Sequence, residues 1–233
     1  MGTALLSGLF ITLVIPWLVF TVGMARQKKM DESYYPFIAI MGIASITEFI
    51  RITQLFNYFI NLGLPIGISI EVYNLYVLAI GILYPILFYK WGLLRRPAYI
   101  LQLVIGILVL IWVTEHFVFN GYQLPKPTKF YRLTYSLLLC LFAIHHINKL
   151  IVREKNRLLR NLSFLICIGL LFFFIPYIIN EGIFLFNPKI SGDFYSSVFE
   201  IRSRYNPVIY LFFTVAILWI PRKKPFILLS WLH

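Results

Sequence analysis

Glutamate, histidine, asparagine, arginine and tyrosine recur at one level of otherwise apolar segments, and these are the side chains with which the chain could do chemistry. Glu48 and Arg51 lie near one end of the second apolar segment, Glu71 and Asn74 near one end of the third. Glu115 and His116 close the fourth, Asn180 and Glu181 approach the end of the sixth, and Asn206 and Tyr210 open the seventh. An ionisable group in hydrocarbon is costly and turns towards a bundle interior or a water-filled cavity. At about 100° per helical residue, Ser45, Glu48 and Arg51 share one face, as do Glu71 and Asn74 with Leu78, Gly81 and Pro85. Trp112, Glu115, His116 and Phe119 share another, as do Tyr177, Asn180 and Glu181, and Asn206, Tyr210 and Thr214. Five polar faces at one depth predict a pocket opening to the outer side, lined by Glu48, Arg51, Glu71, Asn74, Glu115, His116, Asn180, Glu181 and Tyr210.

Three chemistries could use such a set. Four glutamates favour binding of a small polar or cationic ligand. Glu115 beside His116 could act as an acid–base pair in a metal-dependent membrane enzyme. Glu48 and Arg51, three residues apart, could instead pair with each other, and the others could serve as interhelical hydrogen-bonding contacts. Zinc requires three or four converging His, Cys or carboxylate ligands; no such spacing is visible, so no metal, no other cofactor and no catalytic residue is assigned.

The elements that must position these residues are seven apolar stretches, roughly Ala4–Met24, Tyr35–Phe56, Ile66–Tyr89, Ala98–Phe119, Tyr131–Leu150, Leu162–Phe186 and Pro207–Ile220. A hydrocarbon core of about 30 Å needs about 20 helical residues. Hydrophobic residues make up 60% of the 233 and charged residues only 13%, with a mean hydropathy of +0.82. The expected fold is therefore all-α: one seven-helix transmembrane domain over residues 1–233, with a short interfacial tail over 222–233. Prolines 16, 85 and 176 fall inside spans, where each removes a backbone donor and predicts a kink. The segment Asn187 to Tyr205 reads as the longest outer loop, a lid or short surface helix.

Net charge is +12, and its distribution excludes a nucleic-acid partner. Arg26, Lys28, Lys29, Lys90, Arg95, Arg96, Lys149, Arg153, Lys155, Arg157, Arg160, Arg222, Lys223 and Lys224 all follow alternate spans, fourteen of the 21 basic residues. Basic loops that stay in the cytoplasm and meet anionic lipid account for this pattern. It sets the N-terminus outside and the C-terminus in the cytoplasm, with the lipid bilayer as the principal partner. The first span carries its charges after the apolar run, unlike a cleaved signal.

Other features carry less. Cys140 and Cys167 lie inside spans and read as small buried hydrophobes. His145 and His146 point about 100° apart, so one faces a neighbouring helix and the other the inner interface. Asn161-Leu162-Ser163 is a formal glycosylation triplet on the cytoplasmic side. Asn206-Pro207-Val208-Ile209-Tyr210 matches the NPxxY pattern of rhodopsin-like receptors, but ten apolar residues follow it and no Asp-Arg-Tyr follows span three. No lysine in span seven could form a retinal Schiff base, and no nucleophile elbow, HExxH or phosphate-binding loop is present.

Tyr73-Asn74-Leu75-Tyr76-Val77-Leu78, Phe88-Tyr89-Lys90-Trp91-Gly92-Leu93 and Ala216-Ile217-Leu218-Trp219-Ile220-Pro221 resemble strings in small bacterial multi-pass seven-helix membrane proteins. The resemblance implies a bacterial inner (plasma) membrane and no particular activity. Together these readings predict a ligand-binding or sensory module that signals through a membrane or cytoplasmic protein partner. A transporter or ion-coupled carrier, the metal-dependent enzyme and a structural or assembly subunit are the alternatives.

Overall fold

Lipid offers no hydrogen bonds, so a chain this apolar must satisfy its backbone internally, and helices do so within one segment. The computed structural model describes residues 2–60, 68–94, 97, 99–119, 128–153, 158–186 and 192–219. Within these limits, side chains are described except for residues 2–13, 29, 51–52, 54–60, 68–70, 184, 186 and 192–204. Among the described residues there is no strand, and there are seven α-helices. They are α1 (Gly2–Arg26), α2 (Tyr35–Ile60), α3 (Ile68–Lys90), α4 (Tyr99–Val113), α5 (Lys129–Arg153), α6 (Leu162–Phe186) and α7 (Gly192–Trp219). Helix α4 runs on into a π-helical turn, Thr114–Phe119. Helices α2 to α6, α4 counted with its π turn, are long and apolar enough to cross a membrane, which fits a multi-pass membrane protein. The described apolar parts of α1 and α7, Val14–Arg26 and Tyr205–Trp219, are shorter.

The end of the chain's last helix agrees with expectation, but its beginning does not. Helix α7 starts at Gly192, so most of the segment from Asn187 to Tyr205, expected as a lid or short surface helix, belongs to the last helix itself, and Asn206 and Pro207 lie well inside it. A helix of 28 residues is about 42 Å long at 1.5 Å per residue, more than the hydrocarbon needs. Its first turns carry Asp193, Ser196, Ser197, Glu200, Arg202 and Arg204. They are too polar to register as a span, yet nothing in them breaks a helix. The segments 61–67, 120–127 and 187–191 and the tail 220–233 lie outside the described residues.

Hydrogen bonds fix how neighbouring helices run. The start of α5 bonds near the end of α6 through Arg132 and Glu181, and the end of α5 bonds the start of α6 through His146 and Ser163, so these two are antiparallel. Thr128 ahead of α5 meets Asn74 at the start of α3, while Lys149 at the end of α5 meets Gly92 just past α3, so these two are parallel. One end of the bundle thus holds Asn74, Glu115, Arg132 and Glu181. Lys90, Lys149, Arg153 and Arg160 gather at the other. Between the two ends the core is apolar and aromatic: Leu139, Ala143, Ile166, Cys167, Leu170 and Phe174 are buried. Phe174 meets the rings of both Tyr84 and Tyr135 edge-on, with centroids 5.9 and 5.8 Å away, the arrangement the ring quadrupole favours.

Local sequence terminates the helices. Helix α3 ends where Gly92 takes φ 81°, a left-handed conformation that costs glycine nothing. Leu93 N–H then donates to Phe88 O and Gly92 N–H to Tyr89 O, both at 2.9 Å, the paired bonds of a Schellman cap. Helix α6 begins at Asn161, whose Oδ1 accepts from Ser163 N–H (2.9 Å), Ser163 Oγ–H (2.8 Å) and Phe164 N–H (3.4 Å). The glycosylation-like triplet is therefore an N-cap. Arg26 at the end of α1 donates through Nη1 to the carbonyls of Ile217 and Leu218 at the end of α7, each at 2.6 Å, and so provides a donor for carbonyls that the helix terminus leaves without one.

Candidate functional site

The polar cluster is organised around the first turns of α5. Those turns present backbone N–H groups that have no partner within the helix. Glu115, in the π turn that ends α4, supplies acceptors for two of them: Oε1 takes Phe130 N–H at 2.9 Å and Oε2 takes Tyr131 N–H at 2.6 Å. A carboxylate at a helix N-terminus also meets the favourable end of the backbone dipole. From α3, Asn74 Oδ1 accepts from Thr128 N–H and Oγ1–H at 3.4 and 3.5 Å, long contacts that hold the residue preceding the helix. Asn74 and Glu115 are buried, and Thr128 is fully enclosed. The same end of α5 is therefore held from two helices at once.

Anchored in this way, α5 carries Arg132 into the interior. Its guanidinium donates through Nη2 to Glu181 Oε2 of α6 at 3.1 Å, and the two side chains are only 9% and 7% exposed. Tyr73 of α3 and Tyr177 of α6 flank it, with the guanidinium carbon 5.7 and 5.9 Å from their ring centroids. Their hydroxyls lie 3.0 Å apart. The arrangement stabilises a buried cation in two ways, by a charge-assisted hydrogen bond and by the negative faces of two aromatic rings.

Of the nine residues read from the sequence, four become buried constituents of this end: Asn74, Glu115, His116 and Glu181. Their contacts within the bundle differ from one another. Both oxygens of Glu115 accept from the backbone of α5. The His116 ring stacks on Trp112 at 4.7 Å and 10°, and its Nδ1 is buried with no partner among the described residues. Tyr210 is buried but packs against Phe173 in the core, at 6.4 Å, and its carbonyl accepts from Thr214 Oγ1–H. Glu48 is half-buried on α2. Glu71 and Asn180 are half-buried and make no side-chain hydrogen bond among the described residues. Arg51 belongs to α2, but its side chain lies outside the described residues, so its expected pairing with Glu48 does too.

The residues that complete the cluster are Arg132, Tyr73 and Tyr177. Arg132 is one of the seven basic residues that the sequence leaves on the outer side, and it falls inside the fifth apolar stretch, which begins at Tyr131. An arginine one position inside a span is itself the signal. Among the described residues no three His, Cys, Asp or Glu converge as metal ligands would.

At the opposite end the polar groups are arranged differently. Ser163 Oγ donates to Asn161, so it must accept from His146 Nε2–H, 3.1 Å away; this places the imidazole proton on Nε2. His146 is buried and stacks on Trp91 at 5.0 Å, whereas His145 is exposed. The two histidines thus divide as their helical spacing requires. Cys140 and Cys167 are free and buried.

No protein-family model, curated protein or solved structure matches this chain.

Proposed function

We propose that this chain is a ligand-binding or sensory module of a bacterial inner membrane, with its N-terminus outside and its C-terminus in the cytoplasm. In this reading the cluster around Arg132 and Glu181 faces outward and takes a small polar ligand. The basic end, facing the cytoplasm, passes the change in helix packing to a membrane or cytoplasmic partner. The observation that carries the reading is the Arg132–Glu181 ion pair: a charged pair withdrawn from water is expensive, and within a membrane bundle such pairs mark sites more often than scaffolding. The charge asymmetry of the loops supports the orientation.

The cation preference expected from four glutamates is reduced, because both oxygens of Glu115 serve the backbone and one oxygen of Glu181 accepts from Arg132. A carrier reading has less support, since the middle of α5 and α6 is packed with aliphatic and aromatic side chains rather than a continuous polar path.

The test is a ligand screen on the purified protein in lipid nanodiscs, read by melting temperature, repeated with Glu181→Gln and Glu71→Gln. A ligand that raises the melting temperature of the native chain and of Glu71→Gln, but not of Glu181→Gln, is the expected result. A broad screen in which no compound shifts any of the three overturns the reading.

A further inference from the structure

We propose that the ligand of this cluster is a small zwitterion, its carboxylate held by Arg132 and Ser136 and its ammonium by Glu181. The proposal rests on the reading above and narrows it to one class of molecule.

The starting observation is a hydroxyl that behaves unlike the others. Thr21, Ser45, Thr47, Thr53, Thr114, Thr134 and Thr214 all lie in helices, and each donates to the carbonyl four residues back. Ser136 could do the same with the carbonyl of Arg132. It does not: its Oγ is completely buried and has no partner among the described residues. A second polar atom in the same condition is Arg132 Nε, although Nη2 of that guanidinium is engaged by Glu181. The two residues are one helical turn apart on the same face of α5, a spacing that leaves their Cβ atoms about 5–6 Å from each other. Arg Nε is a donor only, and a serine hydroxyl has a proton to give. What the pair lacks is an acceptor.

Charge selects among acceptors. The Arg132–Glu181 pair is net neutral, so a lone carboxylate arriving there adds an uncompensated negative charge in a region of low dielectric. A lone cation leaves Nε and the hydroxyl without an acceptor. A molecule carrying both charges satisfies both ends. One carboxylate oxygen meets Nε and the other meets Ser136 Oγ. The ammonium meets the Glu181 carboxylate and the faces of Tyr73 and Tyr177, which already flank a cation.

The experiment measures melting of the full chain in nanodiscs against glycine, glycine betaine, acetate and methylammonium, with Ser136→Ala and Arg132→Lys alongside the native chain. Glycine or glycine betaine is expected to raise the melting temperature, and acetate and methylammonium, which carry one charge each, are not. Ser136→Ala, which removes a buried hydroxyl that has no partner among the described residues, is expected to melt at or slightly above the native chain without ligand and to bind the zwitterion roughly tenfold more weakly. Arg132→Lys, which keeps the charge but loses Nε, is expected to abolish it. If acetate or methylammonium alone matches the zwitterions, or if Ser136→Ala responds like the native chain, the proposal is overturned. If all four probes are silent while another compound gives a shift that depends on Glu181, the zwitterion is overturned and the outward site survives. Silence from every compound overturns both.

Discussion

The two ends of this bundle use the same residue types for different purposes. At the basic end, polar side chains mainly finish helices. Asn161 caps α6, Lys149 Nζ donates to the Gly92 carbonyl just past α3 at 3.0 Å, and Arg26 takes the last carbonyls of α7. At the opposite end Glu115 has the same kind of task. Arg132 and Glu181 do not: they are charged, buried, and joined side chain to side chain between two helices. Capping explains every contact of the first group. It explains neither the ion pair nor the two tyrosines around it, and that unexplained polarity is what distinguishes one end from the other.

The comparison yields a ranked set of stability effects, each measurable by reversible denaturation in mixed micelles. Glu181→Ala strands a buried guanidinium and is expected to cost about 3–5 kcal/mol. Glu115→Ala removes the charged acceptor of two helix-terminal N–H groups, one buried and one partly buried, and is expected to cost about 2–3 kcal/mol; it also loosens the start of α5 and so weakens any ligand response that depends on Arg132. Asn161→Ala removes an N-cap, with an expected cost of about 1 kcal/mol, and leaves such a response intact. A ligand response that fell equally in Glu115→Ala and Asn161→Ala would erase the distinction between the ends.

How much of this was readable beforehand varies with the kind of residue. Apolar length made the helices legible, because in lipid the backbone has no other way to satisfy itself, and α6 was placed residue for residue. The start of α7 was not, since its first turns are polar enough to pass for a loop although they contain no helix breaker before Pro207. Depth along the helix groups Asn74, Glu115, His116 and Glu181 at one end, where Asn74, Glu115 and Glu181 make their hydrogen bonds. Partner choice was out of reach: that Glu115 reaches over to the backbone of α5, while Glu181 reaches Arg132, depends on how α4, α5 and α6 sit beside each other. Gly81 is a further example. A Cβ there would collide with the hydroxyl of Tyr131, fully buried on the parallel helix α5. Nothing in the local sequence of α3 signals that contact.

The most direct test of the claim that the ends differ is a pair of double-mutant cycles in the same micelles, Arg132→Met with Glu181→Leu and His146→Phe with Ser163→Ala. The account predicts a coupling of about 2–3 kcal/mol for the ion pair, with the double variant more stable than either single one, and about 1 kcal/mol or less for the neutral pair. Additive effects at Arg132 and Glu181, or a coupling no larger than that at His146 and Ser163, would contradict it.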